Sequence, residues 1–239
     1  LFRSKTLWNS EMIWKQPLRQ VKLRLQRRAP KDVQNGLKDL LADLKKNPIS
    51  FPKVKRKKQS APHLLEISLY DAHFGKLCWG KETGTTYDLK IAEADFLHAV
   101  EELLELTKGF EIDRVCFPIG NDFFQTNNWK SETAKGTRVD STDDRFQKIF
   151  RVGVQAIKHA AARCREVADV KFIWVPGNHD PETSWYLCEV LREIFEKDKH
   201  VDVDNGPQRH KYLSYGGVLL GYAHSHMVRP DRLPLVMAT

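Results

Sequence analysis

Four apolar runs of strand length alternate with three longer segments of helical periodicity, and this alternation is what most restricts the fold. The runs are 63–70 (HLLEISLY), 113–119 (DRVCFPI), 170–175 (VKFIWV) and 217–223 (GVLLGYA). Between the first two, a helix is expected from about Asp88 to Lys108, with Phe96, Val100, Leu103 and Leu104 on one stripe and Gly109 placed to stop it. A second helix is expected over 142–167, with Phe146, Ile149, Phe150, Gly153, Ile157, Ala160 and Cys164 facing inward, and a third over 182–196. Strand and helix in strict alternation predict a layered α/β domain with a largely buried sheet. No internal repeat is visible.

Charge divides the chain. Residues 1–60 hold 17 Lys and Arg against 4 Asp and Glu, a net +13, whereas the remainder holds 22 against 27, a net −5. The arm shows helical patches: Leu18, Val21, Leu23 and Leu25 lie among basic residues, and Val33, Leu37, Leu40, Leu41 and Leu44 recur after Pro30. The stretch NPISFPKVKRKKQSAP, 47–62, combines three prolines with a basic run and reads as an exposed linker, which puts a domain boundary near residue 60. Such an arm is either a solvated helical appendage, a partner-binding segment, or a grip on nucleic-acid phosphates. Cys78, Cys116, Cys164 and Cys188 form no CxxC pair, so neither a disulfide framework nor a zinc knuckle is indicated, and a reducing, cytoplasmic setting is expected. No run approaches the ~18 apolar residues that a membrane span needs.

Polar residues with chemistry gather where the apolar runs end. The first run exits into DAHFGK with Asp71 and His73, the second into GNDFF with Asn121 and Asp122. The third breaks into VPGNHDPET with Asn178, His179 and Asp180, and the fourth exits into HSHM with His224 and His226. Ligands of open α/β sheets collect at the carboxyl ends of strands, so one rim receives all four groups. Each element alone is an ordinary turn; their joint occurrence, in order, points to a shared metal site. A mixed Asp, His and Asn donor set without thiolate suits Mn, Fe or Zn in an open site.

The order D-x-H, then G-x-D, then G-N-H-D, then a histidine after a strand resembles the calcineurin-like metallophosphoesterases. The resemblance runs from about residue 63 to 239. The wording PIGNDFFQTNN, AKGTRVDSTDDRF, VPGNHDPETSWYL and LLGYAHS is similar to the phage- and prophage-encoded branch, itself distantly similar to the exonucleases of double-strand-break repair. The resemblance implies a layered β-sheet sandwich flanked by helices and a site with two divalent ions, Mn foremost. It implies that Asp71 and His73 hold the first ion, that Asp122 bridges, and that Asn178 with His224 holds the second. His179 would face the substrate and protonate the leaving oxygen, with Asp180 orienting its imidazole. Two cations about 3.5–4 Å apart neutralise an anionic phosphoester and activate a water for in-line attack.

This chain departs from the family pattern in three places. Asn121 stands between Gly120 and Asp122, Ser225 follows His224 where glycine is usual, and no G-H-x-H appears. His224-Ser225-His226 is either a degenerate form of that last motif or an earlier lone ligand, with G-H-x-H expected beyond Thr239 and the site then incomplete in this fragment. Trp129, Lys130, Lys135 and Arg138 read either as substrate-phosphate contacts or as a solvated loop. His98 and His159 read as surface positions on helices, and Trp185 and Tyr186 as packing of the third helix. The resulting expectation is a phosphodiesterase, a nuclease acting on DNA, in the host cytoplasm if phage-encoded. Its alternatives are a phosphomonoesterase or a nucleotide or phosphoprotein phosphatase of the same chemistry, and a non-catalytic nucleic-acid-binding protein.

Overall fold

Strand β1 (His63–Glu66) is followed by a short helix α1 (Gly80–Thr83), a long helix α2 (Leu89–Leu106), strand β2 (Ile112–Gly120) and helix α3 (Phe146–Val167) in a computed structural model. Strand β3 (Asp169–Val175), helix α4 (Pro181–Phe195) and strand β4 (Val201–Asp204) come next, then a β5 (Lys211–Tyr215) and β6 (Val218–Tyr222) hairpin, a 3-10 turn and a terminal helix α5 (Leu233–Ala238). The structure describes residues 53, 60–139, 145–226 and 228–238. Residues 51–239 make one compact unit. The expected basic arm and linker, apart from Lys53 and residues 60–62, lie outside the described residues, as does the expected start of the second helix before Arg145.

The four strands β1 to β4 form one parallel sheet in chain order. Sequential parallel strands joined by crossovers of one hand put every connecting helix on the same face. Alternation along each strand divides the core accordingly. Val115, Phe117 and Ile119 of β2 and Val170, Phe172 and Trp174 of β3 meet Phe96 and Val100 of α2, Ile157 and Ala160 of α3 and Leu187 of α4. Cys116, Ile173 and Val175 point the other way and are covered by Leu213 and Tyr222 of the hairpin. The fold is therefore mixed α/β, with a parallel four-stranded sheet flanked by helices. No helix among the described residues is long and apolar enough to cross a membrane.

Local chemistry explains the helix limits. Asp88 caps α2, its carboxylate accepting from the N–H groups of Lys90 (2.8 Å) and Ile91 (3.0 Å). Gly153 of α3 faces the β2 exit so closely that a methyl group there would lie 2.5 Å from the Phe124 ring. Small residues on that stripe let α3 press against Phe123 and Phe124, which hold the loop just after Asp122.

Two expectations are corrected. The run 217–223 is not the fourth strand of the sheet; it pairs antiparallel with β5. The fourth strand is β4, Val-Asp-Val-Asp, a short edge strand pairing Val170 to Val201 and Phe172 to Val203. The first run also leaves the ladder at Glu66, although Ile67 N–H still donates to the Cys116 carbonyl at 2.9 Å.

β4 is fixed by a buried ion pair. The Arg165 guanidinium near the end of α3 binds both oxygens of Asp198, whose Oδ1 also accepts from His200 N–H at 3.0 Å. Both side chains are almost fully buried, 7% and 2% exposed, so removing one leaves an uncompensated charge. Arg165→Met is expected to cost about 3–5 kcal/mol. Thermal unfolding checks this, with a fall of roughly 6–20 °C in Tm; an unchanged Tm would show the pair to be dispensable.

Candidate metal centre

The exits of β1 and β2 are stitched together by their backbones. Asp71 N–H donates to the Asn121 carbonyl (3.2 Å), His73 N–H to Asp122 (3.1 Å) and Phe74 N–H to Phe123 (2.8 Å), while Gln125 N–H returns to Phe74 (3.0 Å). Asn121 N–H donates to the Val175 carbonyl at 2.7 Å, which ties in the end of β3. This geometry requires left-handed backbone at Asp71 (φ 55°), His73 (45°), Asn121 (56°) and Asp122 (64°). Asn, Asp and His are the non-glycine types that take this region most readily, yet each such residue still costs on the order of 1 kcal/mol. Strain of this kind persists where the surroundings over-determine it, and it collects at working sites. Gly120 (φ 93°), Asn121 and Asp122 thus make one continuous run of positive φ.

Asp122 is the hub. Its Oδ1 accepts from His179 N–H at 2.7 Å, and its Oδ2 lies 3.3 Å from His224 Nε2. Asp71, His73 and Asp122 each offer one ligand atom, all within 4.8 Å of one another. Within that group, His73 Nε2 lies 3.7 Å from Asp71 Oδ1. Asp122 is nearly fully buried and Asp71 is open to solvent, so the cluster has a protein floor and an accessible mouth. His73 Nδ1 is buried with no hydrogen-bond partner.

The electrostatics of Asp122 and His73 favour ligation, whereas those of His224 favour its protonated form. Burial raises the Asp122 carboxyl, but hydrogen bonds from His224 and from the His179 backbone outweigh it and hold its pKa below the ordinary value. Burial, then repulsion from His179, lowers His73, keeping the imidazole neutral with a lone pair to give. The hydrogen bond to Asp122 raises His224.

His179 stands beside the cluster, its ring centroid 4.8 Å from that of His73 in an edge-on arrangement. Its Nδ1 lies 2.9 Å from the Gln125 carbonyl. Asn178 occupies the same turn, half-buried between two residues that touch Asp122, and its amide engages no described residue. His226 pairs with His224, Nδ1 to Nδ1 at 2.6 Å, on the solvent side of the site.

Asp180 does not orient the His179 imidazole. It is fully buried, and its carboxylate reaches back to the β2 exit, accepting from the N–H groups of Asp122 (3.2 Å) and Phe124 (2.9 Å). Burial pushes its pKa up to about 7, against the lowering by those two bonds. Adjacent residues entering a helix project in different directions, so chain neighbours His179 and Asp180 serve different partners. The group that orients His179 is the Gln125 carbonyl.

Three supporting residues escape sequence reading. Asn127 caps α4 from a distant loop, its Oδ1 accepting from Glu182 N–H at 2.8 Å while its carbonyl takes the Thr183 hydroxyl at 2.7 Å. Gln125 positions His179, and the Tyr87 hydroxyl donates to the Ala72 carbonyl, between Asp71 and His73, at 2.5 Å. Comparison of the chain with protein-family models and with curated proteins finds no match.

Proposed function

We propose that this protein is a metal-dependent phosphoesterase of the calcineurin-like kind, cleaving phosphodiesters, with DNA as substrate. The observation that carries the reading is Asp122, a buried carboxylate placed between Asp71 and His73 on one side and His224 on the other. A carboxylate so placed could serve two neighbouring divalent ions at once. The donors fit Mn, with Fe or Zn as alternatives: carboxylate and neutral imidazole without thiolate, and a His73 ring whose polar atoms are incompletely partnered. Asp71, His73, Asp122, Asn178 and His224 would hold the ions, which supply charge neutralisation of the phosphoester and a nucleophile from water. On this reading the parallel sheet and the β5–β6 hairpin belong to the layered metallophosphoesterase sandwich. The same reading assigns a reducing cytoplasm, in which the four cysteines stay free as they are here.

The chain's own part in the reaction is proton transfer and orientation. A carbonyl oxygen only accepts, so His179 Nδ1 is the donor in the Gln125 contact, and in the imidazolium form the Nε2–H is left to give its proton to the leaving oxygen, the ring returning to neutral. His179→Asn is therefore expected to lower Mn-dependent hydrolysis of bis-p-nitrophenyl phosphate about 100-fold, with Mn binding retained. Hydrolysis unchanged by this substitution would remove His179 from the mechanism. Relative rates on mono- and diesters separate a phosphodiesterase from a phosphatase. The net charge of +13 on residues 1–60 favours nucleic acid as the partner. If deletion of that arm abolishes DNA binding while substitutions in the cluster change nothing, the protein is a binding module and not an enzyme.

A further inference from the structure

Beside the cluster the surface opens into a cavity of about 390 Å³ lined by Asp71 and His73 of the cluster and by Lys76, Cys78, Thr85 and Tyr87. The wall is a closed loop. Lys76 N–H donates to the His73 carbonyl at 2.9 Å, and the chain then turns over α1 and returns at Tyr87. There Cys78 and Tyr87 exchange both backbone hydrogen bonds, at 2.9 and 3.0 Å. Tyr87 is thus wall and anchor at once, because its hydroxyl also holds the carbonyl between Asp71 and His73. The Thr83 hydroxyl lies within hydrogen-bond distance of the Thr85 (2.8 Å) and Trp79 (3.1 Å) carbonyls, with one proton to share between them.

We infer that this cavity is the subsite for the nucleoside part of a nucleotide phosphoester, whose phosphate lies at the Asp71–His73 pair beside Lys76. The inference rests on reading the cluster as a phosphoester-cleaving centre. Its size falls at the lower end of the ~300–1,000 Å³ of small-molecule sites, which suits one nucleotide unit and leaves a bare phosphate with most of the space unfilled. Its chemistry is one cation, threonine hydroxyls and one aromatic ring, a set that serves phosphate, sugar and base in turn. The cavity on the other side of Asn121 is only about 150 Å³ and carries the Glu66 carboxylate, which repels a phosphate. A larger cavity of about 500 Å³ near His210 includes no residue of the cluster.

Cys78 makes the assignment testable, because the other three cysteines are buried. N-ethylmaleimide should label Cys78 first, as read by mass spectrometry. AMP at ten times its half-saturating concentration is expected to slow that labelling about tenfold in the presence of Mn, and inorganic phosphate is not. Thr85 is exposed, so Thr85→Trp should fill the cavity without disturbing the fold, abolishing protection by AMP while Mn still binds. Lys76→Met should raise the AMP concentration needed by about tenfold, the loss of one charge-assisted contact. Equal protection by AMP and phosphate, or protection intact in Thr85→Trp, overturns the cavity assignment alone. Absence of Mn binding in the unaltered chain overturns the reading of the cluster instead; protection by AMP in metal-free protein then upholds the cavity and its absence removes it.

Discussion

Asp122→Ala is expected to abolish Mn-dependent phosphodiester hydrolysis, a fall on the order of 10³-fold or more. Losing the shared carboxylate forfeits about 4 kcal/mol of charge stabilisation, and each 1.36 kcal/mol is a tenfold change in rate. The substitution also strands two partners, since His179 N–H and His224 Nε2 both point at this side chain. Asp122→Asn separates charge from scaffold: its amide oxygen can still accept from His179 N–H, and asparagine tolerates the left-handed backbone at φ 64°. That variant should keep the parental melting temperature within a few degrees and lose Mn affinity and turnover together. Turnover equal to the parent in both variants would remove the hub from the account.

Gly177→Ala is expected to disturb the fold at the site itself. A methyl group there would lie 2.0 Å from Asp122 Oδ1, 2.4 Å from the Asp122 backbone nitrogen and 2.8 Å from Asp180 Oδ1. Two of those atoms belong to side chains held by hydrogen bonds and one is backbone, so relief requires parting the β3 exit from the β2 exit. The expected cost is about 2–3 kcal/mol, a fall of roughly 4–12 °C in Tm. Mn binding should fall with it, because Asp122 cannot stay in place. Gly217→Ala is the control: no atom lies within 4 Å of its added methyl, and its melting temperature should match the parent. If the two variants melt alike, the close approach at Gly177 does not constrain the site.

The three long helices α2, α3 and α4 and three of the four parallel strands were legible because their apolar patterns are clear; the short α1 and α5 were not. The α2 stripe of Ala92, Phe96, Val100 and Leu104 sits at nearly ideal spacing, and Asp88 caps it as its residue type predicts. β4 escaped notice because Val201-Asp202-Val203-Asp204 is four residues long and half polar, as an edge strand allows. Apolar pattern marks 217–223 as a strand but says nothing of its partner, so β6 was placed in the wrong sheet.

The site divides in the same way. The grouping of Asp71, His73 and Asp122 was legible because each follows an apolar run of the parallel sheet, whose strand exits converge; His224 follows an apolar run too, but reaches Asp122 from the end of the antiparallel hairpin. The contacts that orient them were not legible. Gln125 to His179, Asn127 to Thr183 and Tyr87 to Ala72 join residues 15 to 56 positions apart. No local pattern encodes such pairs. Asp180 misled because adjacency to His179 in sequence resembles pairing in space.

The measurement that bears most directly on the centre is a titration of the metal-free chain with Mn²⁺, followed by the electron paramagnetic resonance signal of the free ion. The account requires that signal to be suppressed until at least one ion per chain is bound, and to appear from the first addition in Asp122→Ala. A free-ion signal that rises from the first addition in the unaltered chain would contradict it.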